Sequence, residues 1–137
     1  MILNVMNVYK TKYLEADYYA DTKYAEVAWQ PATEMMTAEE YKTEFLGYYG
    51  LFKNHDIKRV LVSQKDLRFR VVPELQEWVN QNVFAHLPKL NLAIVLSEDI
   101  IAQLAAEQLM DEKESKAVFT TKFFGSKEDA RKWILNL

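Results

Sequence analysis

The chain has no cysteine, which removes disulfide staples, thiolate nucleophiles and Cys-ligated metal sites together. Glycine and proline each occur only three times, so short connections between regular elements are expected rather than disordered or low-complexity tracts. Of the two histidines, neither His55 nor His86 lies in an HExxH helix or an i, i+4 pair. His86 falls where a helix should end, a place that favours a cation. No metal and no cofactor is expected. No apolar run approaches the roughly 18 residues of a membrane span. The stretch "MILNVMNVYK" has no basic leader, long apolar segment or small-residue cleavage site, so it is not read as a signal peptide. A cytoplasmic protein is the default expectation. Net charge is −3 with bases scattered among acids, which leaves no electrostatic footprint for nucleic acid.

What is present fits a single domain over residues 1–137, half of them hydrophobic, long enough for one core and too short for two. "YLEADYYADTKYAEVAWQ" (13–30) alternates around "ADT" and predicts two antiparallel strands. Ala25, Val27 and Trp29 share a core face, while Tyr24, Glu26 and Gln30 take the wetter one. Tyr18, Tyr19 and Tyr24 are expected to be exposed on this hairpin, where they could feed an interface. Thr37 and Glu40 make a capping box for a helix with the stripe Tyr41, Phe45, Tyr48 and Phe52. Gly47 and Gly50 weaken that helix, so something should press close to them.

"IKRVLVS" (57–63) is apolar enough for a central strand buried on both faces. Pro73 suits a first helical position ahead of the stripe Leu75, Trp78, Val79 and Val83. "LNLAIVLS" predicts another central strand. Ser97, with Glu98 and Asp99, then caps a helix that turns Ile101, Leu104, Ala105 and Leu109 inward. "KAVFTTKFFG" predicts an edge strand. Ser126 and Asp129 start a last helix with Ala130, Trp133, Ile134 and Leu137 inward.

The order is ββαβαβαβα, an α/β fold with a single mixed, mostly parallel five-stranded sheet. Its helices should lie mainly on one face. The other face would be covered by a terminus, a helix or a partner, and homodimerisation is one way to shield it.

The chain resembles the SpoIIAA-like superfamily of STAS and SEC14-type domains, and within it the small stand-alone STAS-like proteins of uncharacterised bacterial families. The resemblance rests on "YAEVAWQPAT", "TAEEYKTEF", "VLVSQKDLRF", "VVPELQEWV", "LNLAIVLSED" and "FFGSKEDARKWI", which together span nearly the whole chain. It implies a βα superhelix and a role in binding or regulation rather than catalysis. Some members carry a phosphorylatable serine just after a strand. Ser63 follows the comparable strand here, and Lys65 stands where stand-alone relatives carry a base.

The loop after that strand holds the candidate site residues Ser63, Gln64, Lys65, Asp66, Arg68 and Arg70. It should fall at the carboxyl ends of parallel strands, where open α/β sheets bind ligands. An anionic small ligand or the acidic surface of a protein partner could dock there, although three bases around one acid also describe an ordinary solvated loop. A phosphoryl group on Ser63 would meet Lys65, Arg68 and Arg70. The plainer reading is that the serine closes the strand through local hydrogen bonds. No glycine-rich phosphate loop, nucleophile elbow or pair of catalytic acids is present.

The function expected is that of a non-enzymatic binding or regulatory module. The alternative is a carrier that holds a lipid or other apolar ligand between helices and sheet, lined by aromatics such as Trp29, Tyr41, Tyr48, Tyr49, Phe52 and Trp78.

Overall fold

The computed structural model describes residues 5–137, which form one mixed six-stranded sheet and five α-helices. The strands are β1 (Val5–Lys10), β2 (Leu14–Tyr19), β3 (Tyr24–Trp29), β4 (Arg59–Ser63), β5 (Leu90–Val95) and β6 (Phe119–Phe124). They lie side by side in chain order. The meander β1–β2–β3 is antiparallel, and β3 to β6 run parallel.

The sixth strand is a correction to the expected five. β1 arises from "VMNVYK", whose alternation is weak and whose two ends lack glycine or proline. Its connection to β2 is closed by Thr11, whose Oγ accepts the amides of Tyr13 and Leu14, each at 3.1 Å. Tyr9 fastens the strand by donating its hydroxyl to the buried carboxylate of Glu44.

Four helices connect or follow the parallel strands: α1 (Ala38–Asn54), α2 (Pro73–Asn82), α3 (Ile100–Met110) and α4 (Lys113–Val118). When successive parallel strands are added in one direction across a sheet, right-handed crossovers bring every connecting helix to the same face. Accordingly Tyr41, Phe45, Tyr48 and Leu51 of α1 share one core with Leu75 and Val79 of α2 and Leu109 and Met110 of α3. Thr37 and Glu40 form the capping box in full, through reciprocal bonds of 3.0 and 3.1 Å.

The helix after β6, α5 (Lys127–Leu135), packs over the opposite face. There Ala130 and Ile134 pack on Leu61, Ala93, Val95, Tyr19 and Tyr24. This helix is the cover that the second face needed.

Several side chains therefore differ from expectation. Tyr18, Tyr19 and Tyr24 are buried, not exposed, because α1 and α5 close on the hairpin from its two sides. Glu26 is also buried, held by Arg131 of α5 through bonds of 2.6 and 2.8 Å, by the Tyr24 hydroxyl at 2.7 Å and by Lys127 at 3.4 Å. Burial alone would raise the Glu26 carboxyl, but these donors and positive charges outweigh it and hold the group below the usual carboxylate range. Leu137 is exposed, since α5 ends two residues earlier. Lys116, Ala117 and Val118 end α4 rather than opening β6.

Candidate functional site

The sheet's carboxyl edge carries the loop 64–72, and five contacts set its path. The Gln64 amide extends the β4–β5 ladder by bonding the Val95 carbonyl at 2.8 Å, and the Leu67 amide returns to the Gln64 carbonyl at 3.1 Å. Arg68 donates its amide to Oγ of the fully buried Thr33 at 2.9 Å, and Thr33 in turn bonds the Gln30 carbonyl at 2.7 Å. Farther along, Phe69 stacks on Tyr41 with ring centroids 5.0 Å apart, and Gln76 donates to the Val71 carbonyl at 3.1 Å. Burial alternates as a result: Leu67, Phe69 and Val71 turn toward the core, while Arg68, Arg70 and Val72 are exposed. The backbone of this loop is fixed while its cations stay in water.

The facing wall is α3, and here expectation and structure part. Asp99, not Ser97, is the N-cap: its carboxylate accepts the Ile101 amide at 2.9 Å, while Ser97 Oγ accepts the amide of Asp99 at 3.1 Å. Only the C-terminal end of the helix reaches the core, through Ala106, Leu109 and Met110. Ile101 and Leu104, expected inward, are 56% and 51% exposed, and Ile100 is 71% exposed. The helix packs on α2 and α4 and touches the sheet little, so a gap opens between its N-terminal half and the loop.

That gap is a cleft of about 650 Å³, lined on one side by Gln64, Lys65, Arg68 and Arg70 and on the other by Ile101, Leu104 and Ala105. Its volume falls in the range of small-molecule sites. Tyr41 and Phe69 also line it, and burial holds the Tyr41 hydroxyl well above its ordinary range, so the phenol stays neutral. Among the described residues, Lys65, Arg68 and Arg70 form no ion pair. The acid of the cleft, Asp99, is engaged in capping. No group of three or more His, Asp or Glu side chains able to hold a metal gathers among the described residues.

Of the six candidate residues, the structure brings Gln64, Lys65, Arg68 and Arg70 to this cleft and leaves Ser63 and Asp66 outside it. Strand alternation explains Ser63: its neighbours across the sheet are Ala28 and Val95, and it shares the α5 face with Leu61. Its Oγ lies 3.5 Å from the Lys65 amide, the local contact of a strand end. Sequence reasoning passed over Thr33 and misplaced Ile101 and Leu104. The signal available for those two was the composition of "IIAQLAAEQLM", too apolar all round for a helix with one buried face.

No family model, curated protein or solved structure matches the chain. Among the described residues no helix is long and apolar enough to cross a membrane. What the fold and the site define is an α/β domain with an open cleft at the carboxyl edge of its parallel strands.

Proposed function

We propose that this protein is a non-enzymatic binding or regulatory module of the SpoIIAA-like type, acting in the cytoplasm and taking its ligand or partner in the cleft between loop 64–72 and α3. The observation that carries the reading is the pairing of three unneutralised cations with an uncovered aliphatic wall across one cleft. The winding of β3 to β6 in chain order, with the crossover helices on one face, agrees with the βα superhelix of that superfamily. A surface module is preferred to an internal lipid carrier because the aromatics that would line a carrier pack on one another. Trp29 and Tyr41 stack at 5.7 Å, and Phe45, Tyr48 and Phe52 continue the chain of rings.

Amide chemical-shift mapping with anilinonaphthalene sulfonate, an anionic apolar probe, tests the reading. Shifts confined to residues 64–72 and 97–108, lost in Leu104→Glu, are expected. Shifts centred on the β6 edge or on the α5 face, or no binding, would overturn it.

A further inference from the structure

We infer that the occupant of the cleft is an acidic amphipathic helix of a partner protein, an inference that rests on the binding-module reading above. Charge is the first argument. The cations sit on one wall only, at Lys65, Arg68 and Arg70, and the opposite wall is mainly aliphatic, with its one acid, Asp99, at the helix start. An occupant that satisfies both walls must carry acids on one flank and apolar side chains on the other. The cations belong to different parts of the loop, Lys65 to the turn that the Leu67 amide closes onto Gln64 and Arg68 and Arg70 to the alternating stretch after it, and Asp99 already fills the amide position at the start of α3. A compact phosphate or carboxylate headgroup therefore finds no focus, whereas a row of Asp or Glu side chains does.

The second argument is extent. Ile101, Leu104, Ala105 and Gln108 follow one another along the cleft at helical spacing, a stripe roughly 10 Å long at 1.5 Å per residue. Ile100, the most exposed of the aliphatics on α3, lies beyond the cleft's lining. A small amphiphile inside the cleft would leave Ile100 in water. A helix laid along α3 would cover it as well, in the groove-binding mode that reads apolar anchors at i, i+3 and i+4. The loop's fixed backbone, held by Thr33, Tyr41 and Gln76, means that little ordering is needed on this side of the contact.

The test is fluorescence anisotropy of a labelled synthetic helix with leucines on one face and glutamates on one flank, measured against a version with lysines in place of the glutamates. The acidic helix should bind about tenfold or more tightly than the basic one, and less so as salt is raised. Leu104→Glu, and Arg68→Glu combined with Arg70→Glu, should each weaken it by about tenfold or more, while Lys132→Glu on α5 leaves it unchanged. All of these positions are exposed, and unaltered circular dichroism and melting temperature establish that the variants fold.

Equal binding of acidic and basic helices, or indifference to Leu104→Glu, would overturn the inference. If the naphthalene sulfonate maps to the cleft and the acidic helix does not bind, the inference fails while the binding-module reading stands. If neither binds, both fail.

Discussion

Gly47 and Gly50 sit one helical turn apart in α1, yet their surroundings are opposite. A Cβ on Gly47 would fall 2.6 Å from Cε1 of Tyr9, while nothing lies within 4 Å of one on Gly50. Tyr9 could swing away, but only by leaving the buried carboxylate of Glu44. Gly50→Ala should therefore stabilise the protein by about 1 kcal/mol through helix propensity. Gly47→Ala should destabilise it by about 1 kcal/mol or more, since the buried carboxylate then loses a donor. Urea denaturation of the two variants checks this, and equal shifts for both would contradict it.

At Glu26 the decisive interaction is between charges. Its folded pKa lies below its unfolded value, so its stabilising contribution is present above the ordinary carboxylate range and is lost as pH falls through the folded value. Arg131→Ala would leave a buried carboxylate with weaker partners. The expected loss is about 2 kcal/mol near neutral pH, below that of a fully buried pair because Arg131 is 42% exposed. The loss should shrink at a pH below the carboxylate range, where Glu26 is protonated in both states. The same loss at both pH values would contradict the assignment.

Among the elements, α5 is the one whose removal the account predicts to matter beyond its length. Ile134 is fully buried against Leu61 and Val95 on the second sheet face, and Ile134→Ala should cost about 3 kcal/mol in chemical denaturation. A loss under about 1 kcal/mol would mean that the helix does not cover that face. The start of α5 was legible in advance, because Ser126 caps the Asp129 amide as its spacing implies. So were α1 and its capping box, and the central strands β4 and β5, whose apolar runs admit burial on both sides.

β1 was not legible, because its pairing is specified by Tyr9 reaching Glu44 and Gly47 across the fold, a long-range contact with no local signature. The alternation in "LRFRVV" was present to be read but went unused; it turns Leu67, Phe69 and Val71 toward the core and Arg68 and Arg70 outward. For α3, periodicity identified the helix but not which of its two apolar faces would be covered. That is decided by α2 and α4, which hold its C-terminal end and leave Ile101 and Leu104 beside the cleft.

At the scale of the whole molecule, the meander and the one-directional winding of β3 to β6 place the crossover helices on one face, and α5 supplies the cover on the other. The sheet face that suggested a homodimer thus already has a cover within the chain. Light scattering is expected to give the mass of a single chain, and a dimer that dissociates in Leu104→Glu would instead assign the cleft to a second copy.

The central claim is that one cleft, basic on one wall and aliphatic on the other, is where this protein binds. Its most direct test is competition: the acidic helix is titrated into protein saturated with anilinonaphthalene sulfonate while dye fluorescence is followed. Full displacement of the dye by the acidic helix is expected in the native chain, with the basic helix needing a concentration about tenfold or more higher. Simultaneous binding of dye and acidic helix would contradict it.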